Sequence, residues 1–306
     1  DWSSDVCSSD LVLWRLIRKP VRRISATVDA VAGGEFGIQL DAPVGRELQA
    51  LTRSFNVMSA SLATNERRRQ REMEQAREIQ EHLLPNGVRI PGLFIGRHFQ
   101  PADDVAGDYY DFIPLSNGSW LLVVADVAGH GIPAAMAATI FKALLLCAAQ
   151  TRHAPDDILQ QVNRQFLALL PSGRFVTVLL AVWQPDARRL AYVNAGHPAG
   201  LAWSPVSGFR ELTATAVPVG VMQDNGHYQS RELELLQHDR LVWFTDGLVE
   251  AFSPEGEMFG TERLRGLIAQ NGNESPERLL ETILAAVRRF VGDETYQDDL
   301  TLLVIG

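Results

Sequence analysis

The chain has 306 residues, 46% hydrophobic and 21% charged, with a formal net charge of −9. That composition excludes a disordered or fibrous chain, and its acidity argues against a protein that coats nucleic acid. Two cysteines, Cys7 and Cys147, exclude a disulfide framework and a cysteine metal cluster. Charge is unevenly spread: residues 11–90 carry 13 Lys/Arg against 9 Asp/Glu, and residues 91–306 carry 15 against 25. Two differently built parts are expected.

Residues 1–10, DWSSDVCSSD, have neither the basic nor the apolar region of a signal peptide. They resemble translated sequencing-adapter sequence, and no fold or function is expected of them. Leu11, Val12, Leu13, Trp14, Leu16 and Ile17 then form an apolar run closed by Arg15, Arg18, Lys19, Arg22 and Arg23. A bilayer span takes about 20 residues, which this run lacks. An apolar end with a Trp followed by a basic cluster is nevertheless the pattern of a membrane helix at its cytoplasmic exit. Residues 1–13 are thus expected to combine an unstructured start with the end of a transmembrane segment that lies upstream. The alternative is a helix start with solvated arginines.

Ile17, Val21, Ile24, Val28 and Val31 step by 4, 3, 4, 3, and Leu48, Leu51, Phe55, Met58 and Leu62 by 3, 4, 3, 4. These are two heptad stripes, broken between by Gly33, Gly34 and Gly37. Neither helix is long enough to be stable alone, so each stripe needs partners, as in a parallel dimeric four-helix bundle. Pro20, GGEFGIQL (33–40) and GRELQALTRSFNVM (45–58) resemble the HAMP signalling module over residues 14–64, with Ile38 and Leu40 as the connector's apolar anchors. Gly45-Arg46 stands where an acidic residue is common in that module. Residues 65–84 continue as a charged helix with a thin apolar edge (Ala76, Ile79, Leu83), stopped by Pro85-Asn86-Gly87. They suit a coiled-coil signalling linker, with a solvated spacer helix as the alternative.

From residue 85 onward the acidic part begins. Strands are predicted at 121–127, 175–183, 190–196, 240–247 and 300–306, and helices at Pro133–Gln150, Pro155–Leu170, Thr261–Ala269 and Pro276–Val291. Strands and helices in groups, without strict alternation, define an α+β domain. Asp126 ends the apolar LLVVAD, Asp246 ends LVWFTD, Asp298-Asp299 precede LTLLVI, and Asp108 lies in AGDYYDF. A carboxylate at the end of a buried strand is costly unless paired or metal-bound. Several converging there would repel each other unless a divalent cation intervenes, and hard oxygen donors select Mg(II) or Mn(II). Singly, each has an ordinary reading: Asp246-Gly247 is also a turn signal. Cys147, within ALLLCAA, is expected to be buried.

The ordered motifs AGDYYDF, ADVAGHGIPAAM, NAGHPAGL, VPVGV, FTDGLVEA and QDDLTLLVI resemble the SpoIIE-like branch of the metal-dependent (PPM, type 2C) protein phosphatases over residues 85–306, and AREIQEHLLP resembles the helix that precedes the domain in stress-response members. The resemblance implies a β-sandwich flanked by helical layers, with two divalent cations, Mn(II) or Mg(II), at one edge. Carried over by position, Asp108 and Asp126 would hold the metals, with Asp126 bridging. The Val127 carbonyl would add a ligand, and Asp246 and Asp298 (the first of its pair, not Asp299) would complete the first metal's shell. Water activated there would attack a phosphoserine or phosphothreonine, with Asp126 and His130 as catalytic residues and His130 as proton donor. A loop-packing role for His130 stays open. Asn194 and His197 would shape the loop by the cleft. The phosphate-binding Arg of eukaryotic members has no evident counterpart, Arg97 being the nearest.

The implied substrate is a phosphorylated STAS-type anti-anti-sigma protein, and the implied setting is the cytoplasmic face of the membrane, with homodimerisation through HAMP and linker and no nucleic-acid partner. A histidine kinase is disfavoured because no Gly-rich ATP lid follows His82, and a diguanylate cyclase because the later Asp-bearing strands do not fit it. The alternative kept is an inactive phosphatase-fold module that binds a partner.

Overall fold

The computed structural model describes residues 11–41, 45–171, 173–223, 228–292 and 296–306. Residues 1–10, with Cys7, lie outside the described residues. The chain divides between Gln75 and Ala76 into two compact units.

In the first unit a helix begins at residue 11, passes through a π turn at Trp14–Arg18, and continues as α1, Lys19–Ala32. Pro20 explains the π turn. It has no N–H to offer the ladder, and the Lys19 N–H instead bonds the Trp14 carbonyl. After the connector comes α2, Arg46–Leu83, whose residues from Ala76 on belong to the second unit. The connector is tied to α2 by side chains: Ser59 Oγ accepts from the Gly37 N–H (3.1 Å), and the Asn56 amide takes both backbone groups of Leu40 (2.8 and 2.9 Å). Within α2 the buried residues are Thr52, Phe55, Ser59 and Ala63. Much of the two predicted stripes, including Ile17, Val21, Val28, Leu51, Met58 and Leu62, is exposed.

The second unit is a four-layer sandwich. Its strands are β1 Ile95–Gln100, β2 Tyr109–Pro114, β3 Trp120–Val127, β4 Val176–Gln184, β5 Arg189–Ala195, β6 Gly200–Ser204, β7 Gly208–Leu212, β8 Arg231–Glu234, β9 Arg240–Phe244 and β10 Leu300–Ile305. Its helices are α3 Gly131–Ala149, α4 Pro155–Leu169, α5 Asp246–Val249, α6 Gly260–Asn271 and α7 Pro276–Val291. Two antiparallel sheets form, ordered β1-β10-β9-β6-β7 and β2-β3-β4-β5-β8.

Period-two alternation sorts each strand's side chains between two cores. From β3, Leu122 and Val124 face the inter-sheet core with Leu179, Trp183, Tyr192, Trp243 and Leu303. Leu121, Val123 and Ala125 face the outer core with Phe141, Leu145, Ile158 and Phe166 of α3 and α4. The other outer core joins Val242, Leu302 and Val304 to α6 and α7. Strands buried on both faces read as continuous apolar runs, which is why β3, β4, β9 and β10 were visible in the sequence.

Cys147 departs from expectation. It is exposed, because α3 buries one face (Ala134, Ala137, Ala138, Phe141, Leu144, Leu145, Ala148) and turns Met136, Leu146 and Cys147 outward. Among the described residues α3 alone is long and apolar enough to cross a membrane, and it packs on the sheet of β2 and β3.

Candidate active site

The expected aspartates meet at one end of the sandwich. Asp108 precedes β2 and Asp126 lies near the end of β3, which pairs with β2 through Tyr109↔Ala125. Asp298 precedes β10, and Asp246 follows β9, its neighbour through Leu302↔Phe244. Asp246 is thus the first residue of the short helix α5, two residues beyond the end of the strand it was expected to end. Gly247 has a packing role. A β-carbon there would collide with the Asp299 carbonyl oxygen, so glycine lets the Asp246 and Asp298-Asp299 segments approach.

Two threonines join the sheets at Asp108. Thr245 and Thr301, both fully buried, donate their hydroxyls to Asp108 Oδ2 (2.7 and 2.5 Å), and Thr245 Oγ1 also accepts from the Thr301 N–H (2.9 Å). Neither hydroxyl engages Asp108 Oδ1. Asp299, which the sequence reading set aside as a ligand, points inward and organises the backbone: its carboxylate accepts from the N–H groups of Ala102 (2.8 Å), Gly107 (2.6 Å) and Asp108 (3.4 Å). The Val127 carbonyl faces the same turn, so close to Gly107 that a β-carbon there would lie 2.9 Å from it.

The electrostatics record the crowding. Asp108 is held well above the usual carboxylate range by burial and then by the charge of Asp126, against the two threonine hydrogen bonds. Asp126 is pushed up to about 7 by burial, then by Asp246, Asp298 and Asp299. Asp246 is raised by burial and by Asp298. Carboxylates gathered closely enough to raise their neighbours form a hard oxygen donor set suited to Mg(II) or Mn(II). Among the described residues no three acidic, histidine or cysteine side chains surround a single point. A site completed by a backbone carbonyl and waters needs fewer carboxylates per ion. A cleft of about 470 Å³ lined by Gly247, Glu250, Phe252, Ser253, Tyr296 and Asp298 adjoins the cluster.

His130 stands at the N-cap position of α3 with no side-chain bond to the helix, 93% exposed, with Nδ1 3.8 Å from Asp103 Oδ2. His197 is buried and its pKa falls to about 3 through desolvation, so it stays neutral. Thr177, which stands opposite Asp126, is 2.9 Å from its Nδ1, and the Asn194 side chain accepts from its N–H (2.8 Å). Both residues shape the loop, as expected. Arg97 donates to the Pro85 carbonyl and is turned to the end of α2. Asp111, absent from the expectations, forms a buried ion pair with Lys142 (2.6 Å) and accepts from Tyr109 Oη (2.6 Å).

An antiparallel sandwich with helical pairs on both faces and a carboxylate cluster at one end defines the PP2C class of phosphatases. The sequence profile of the Stage II sporulation protein E (SpoIIE) family matches residues 116–306, and that of the HAMP domain matches residues 12–64. The chain belongs to the SpoIIE family: it is a PP2C-type serine/threonine protein phosphatase, of a metal-dependent class, with a HAMP domain ahead of it. It is similar to phosphoserine phosphatase RsbU of Bacillus subtilis, 29% identical over 76% of this chain and 69% of that protein. It is also similar to phosphoserine phosphatase RsbP of the same organism, 27% identical over 59% of this chain and 45% of RsbP. The SiaA-PP2C domain of Pseudomonas aeruginosa has the same fold, with a TM-score of 0.70 at 24% identity over 79% of this chain and 98% of that one.

Proposed function

We propose that the chain is the output part of a membrane-linked receptor that removes phosphate from serine or threonine of a STAS-type anti-anti-sigma protein, using two divalent cations, Mn(II) or Mg(II). The observation that carries the metal reading is the gathering of Asp108, Asp126, Asp246 and Asp298 at one end of the sandwich, close enough that Asp126 raises Asp108 and that Asp246 and Asp298 raise Asp126. Asp108, Asp126, Asp246, Asp298 and the Val127 carbonyl would hold the cations. Bound there, they supply activated water at neutral pH and neutralise charge on the phosphoryl group. The rest falls to the chain. Thr245 and Thr301 hold Asp108 through Oδ2, and their hydroxyls leave Oδ1 for a cation. Asp126, whose carboxyl is pushed up to about 7, would give up its proton on holding a cation. His130, exposed at the N-terminus of α3 three residues after Val127, would donate a proton to the departing serine or threonine oxygen. The cleft beside Asp246 and Asp298 receives the phosphoprotein segment.

The substrate class rests on the SpoIIE resemblance and on relatives named phosphoserine phosphatases. The HAMP match and the basic cluster Arg15, Arg18, Lys19, Arg22 and Arg23 support the membrane link. The exposed stripes of α1 and α2 support a parallel dimer. The test is hydrolysis of p-nitrophenyl phosphate, and of a phosphorylated STAS protein, with Mn(II) or with EDTA. Metal-dependent turnover lost in Asp126→Asn and Asp246→Asn is expected. A phosphorylated STAS protein bound but left intact would sink the enzymatic reading.

A further inference from the structure

The segment 101–108, which delivers Asp108 to the cluster, has no strand or helix of its own. Its backbone groups must therefore find partners elsewhere, and they find side chains. Asp299 takes the N–H groups of Ala102, Gly107 and Asp108. The groups of Ala106 go to Gln80, on the last turns of α2: Nε2 donates to the Ala106 carbonyl (2.7 Å) and Oε1 accepts from its N–H (2.9 Å). One primary amide thus closes a two-point ring on a single backbone residue, fixing the distance and the rotation of the segment relative to the helix. Ala106 is fully buried, so water does not substitute readily.

The end of α2 is itself anchored. Lys142 of α3 donates to the Leu83 carbonyl while pairing with Asp111, and Arg97 of β1 donates to the Pro85 carbonyl. Leu84 packs against two of the cores. Gln80 is the one member of this set that reaches from the helix to within two residues of Asp108.

We propose that Gln80 is a positioning residue through which the signalling helix sets Asp108 for metal binding. This rests on the metal-dependent reading above. A displacement or rotation of α2 about its axis moves the Gln80 amide, and the ring passes that movement to Ala106 and so to the carboxylate. In this arrangement the helix acts on metal occupancy and does not touch the substrate.

The experiment compares the full chain with Gln80→Met, which keeps side-chain length and helix propensity but cannot form the ring. Gln75→Met, the same change at an exposed residue of α2, serves as the control. Hydrogen exchange of the metal-free proteins is followed over peptides covering 102–108, and Mn(II) binding is measured by electron paramagnetic resonance. Gln80→Met is expected to exchange faster across 102–108 with an unchanged sandwich, and to bind Mn(II) about tenfold more weakly, the size seen when outer-shell partners of metal ligands are removed. Unchanged exchange across 102–108 overturns the inference, and so does faster exchange with unaltered Mn(II) affinity. A wild-type chain that binds no Mn(II) overturns the metal reading itself, and the exchange result then decides separately whether Gln80 orders the segment.

Discussion

Replacing Asp126 by Asn should stabilise the metal-free protein. The carboxyl is pushed from its ordinary 3.8 to about 7, roughly three pH units at about 1.4 kcal/mol each, or ~4 kcal/mol against the ionised form. Asp246 and Asp298 share that penalty and some solvent reaches the group, so about half, ~2 kcal/mol, is a sound expectation for one substitution. The sign follows from linkage. The folded pKa lies above the unfolded one, so the folded state holds the proton more tightly. Stability from this group is fully present below pH 4, falls as pH rises from about 4 to 7, and is gone above 7. Asn mimics the protonated form at every pH. In EDTA at pH 8 the variant should melt about 4–8 °C above wild type, and at pH 4 the two should nearly coincide. Adding Mn(II) at pH 8 should raise the melting temperature of wild type only. A variant less stable than wild type at pH 8 in EDTA, or equally stabilised at both pH values, would refute the reasoning.

Two further substitutions test the scaffold around the carboxylates. Thr245→Val keeps the side chain's shape but strands the Thr301 N–H and removes a hydrogen bond to Asp108. Urea unfolding should show a loss of about 2–4 kcal/mol, with weaker Mn(II) binding. Asp298 and Asp299 should separate by assay. Asp299→Ala frees three backbone N–H groups and should cost about 3 kcal/mol of stability. Asp298→Ala, at an exposed position, should change stability by less than about 1 kcal/mol while abolishing Mn(II)-dependent turnover. Equal stability losses in the two would show that the pair is not divided in this way.

The predicted helix Pro276–Val291 coincides with the observed one, and the β3, β4, β5, β9 and β10 runs lie within a residue or two of theirs, apart from the two residues beyond β9 that begin α5. Those elements are buried on both faces or carry a strong period, and burial writes itself into composition. The strands β7 (GFREL) and β8 (RELE) escaped because they are sheet edges, short and largely polar. β2 was hidden by Asp111, a charge inside an otherwise aromatic and apolar run, tolerable only because Lys142 comes from another element to meet it. At the site, the four aspartates were legible as chemistry out of place. Their supports were not. Thr245, Thr301, Asp299 and Gln80 are ordinary residues locally, and their roles exist only through partners 26 to 197 positions away. Cys147 misled because an apolar helix was read as buried all round, when only one face meets the sheet.

The position of β10 has a consequence in time. It lies inside its sheet, between β1 and β9, and the residues just before it supply both Asp298 and the carboxylate that gathers Ala102, Gly107 and Asp108. A chain leaving the ribosome N-terminus first has made its helices, the nine earlier strands and three of the four aspartates while the sheet still has a gap and Asp108 still lacks its anchor. On the proposed metal site, hydrolytic competence is therefore expected only once the last strand is in place. On that site, a polypeptide interrupted before residue 298 is expected to be inactive, not merely weakened.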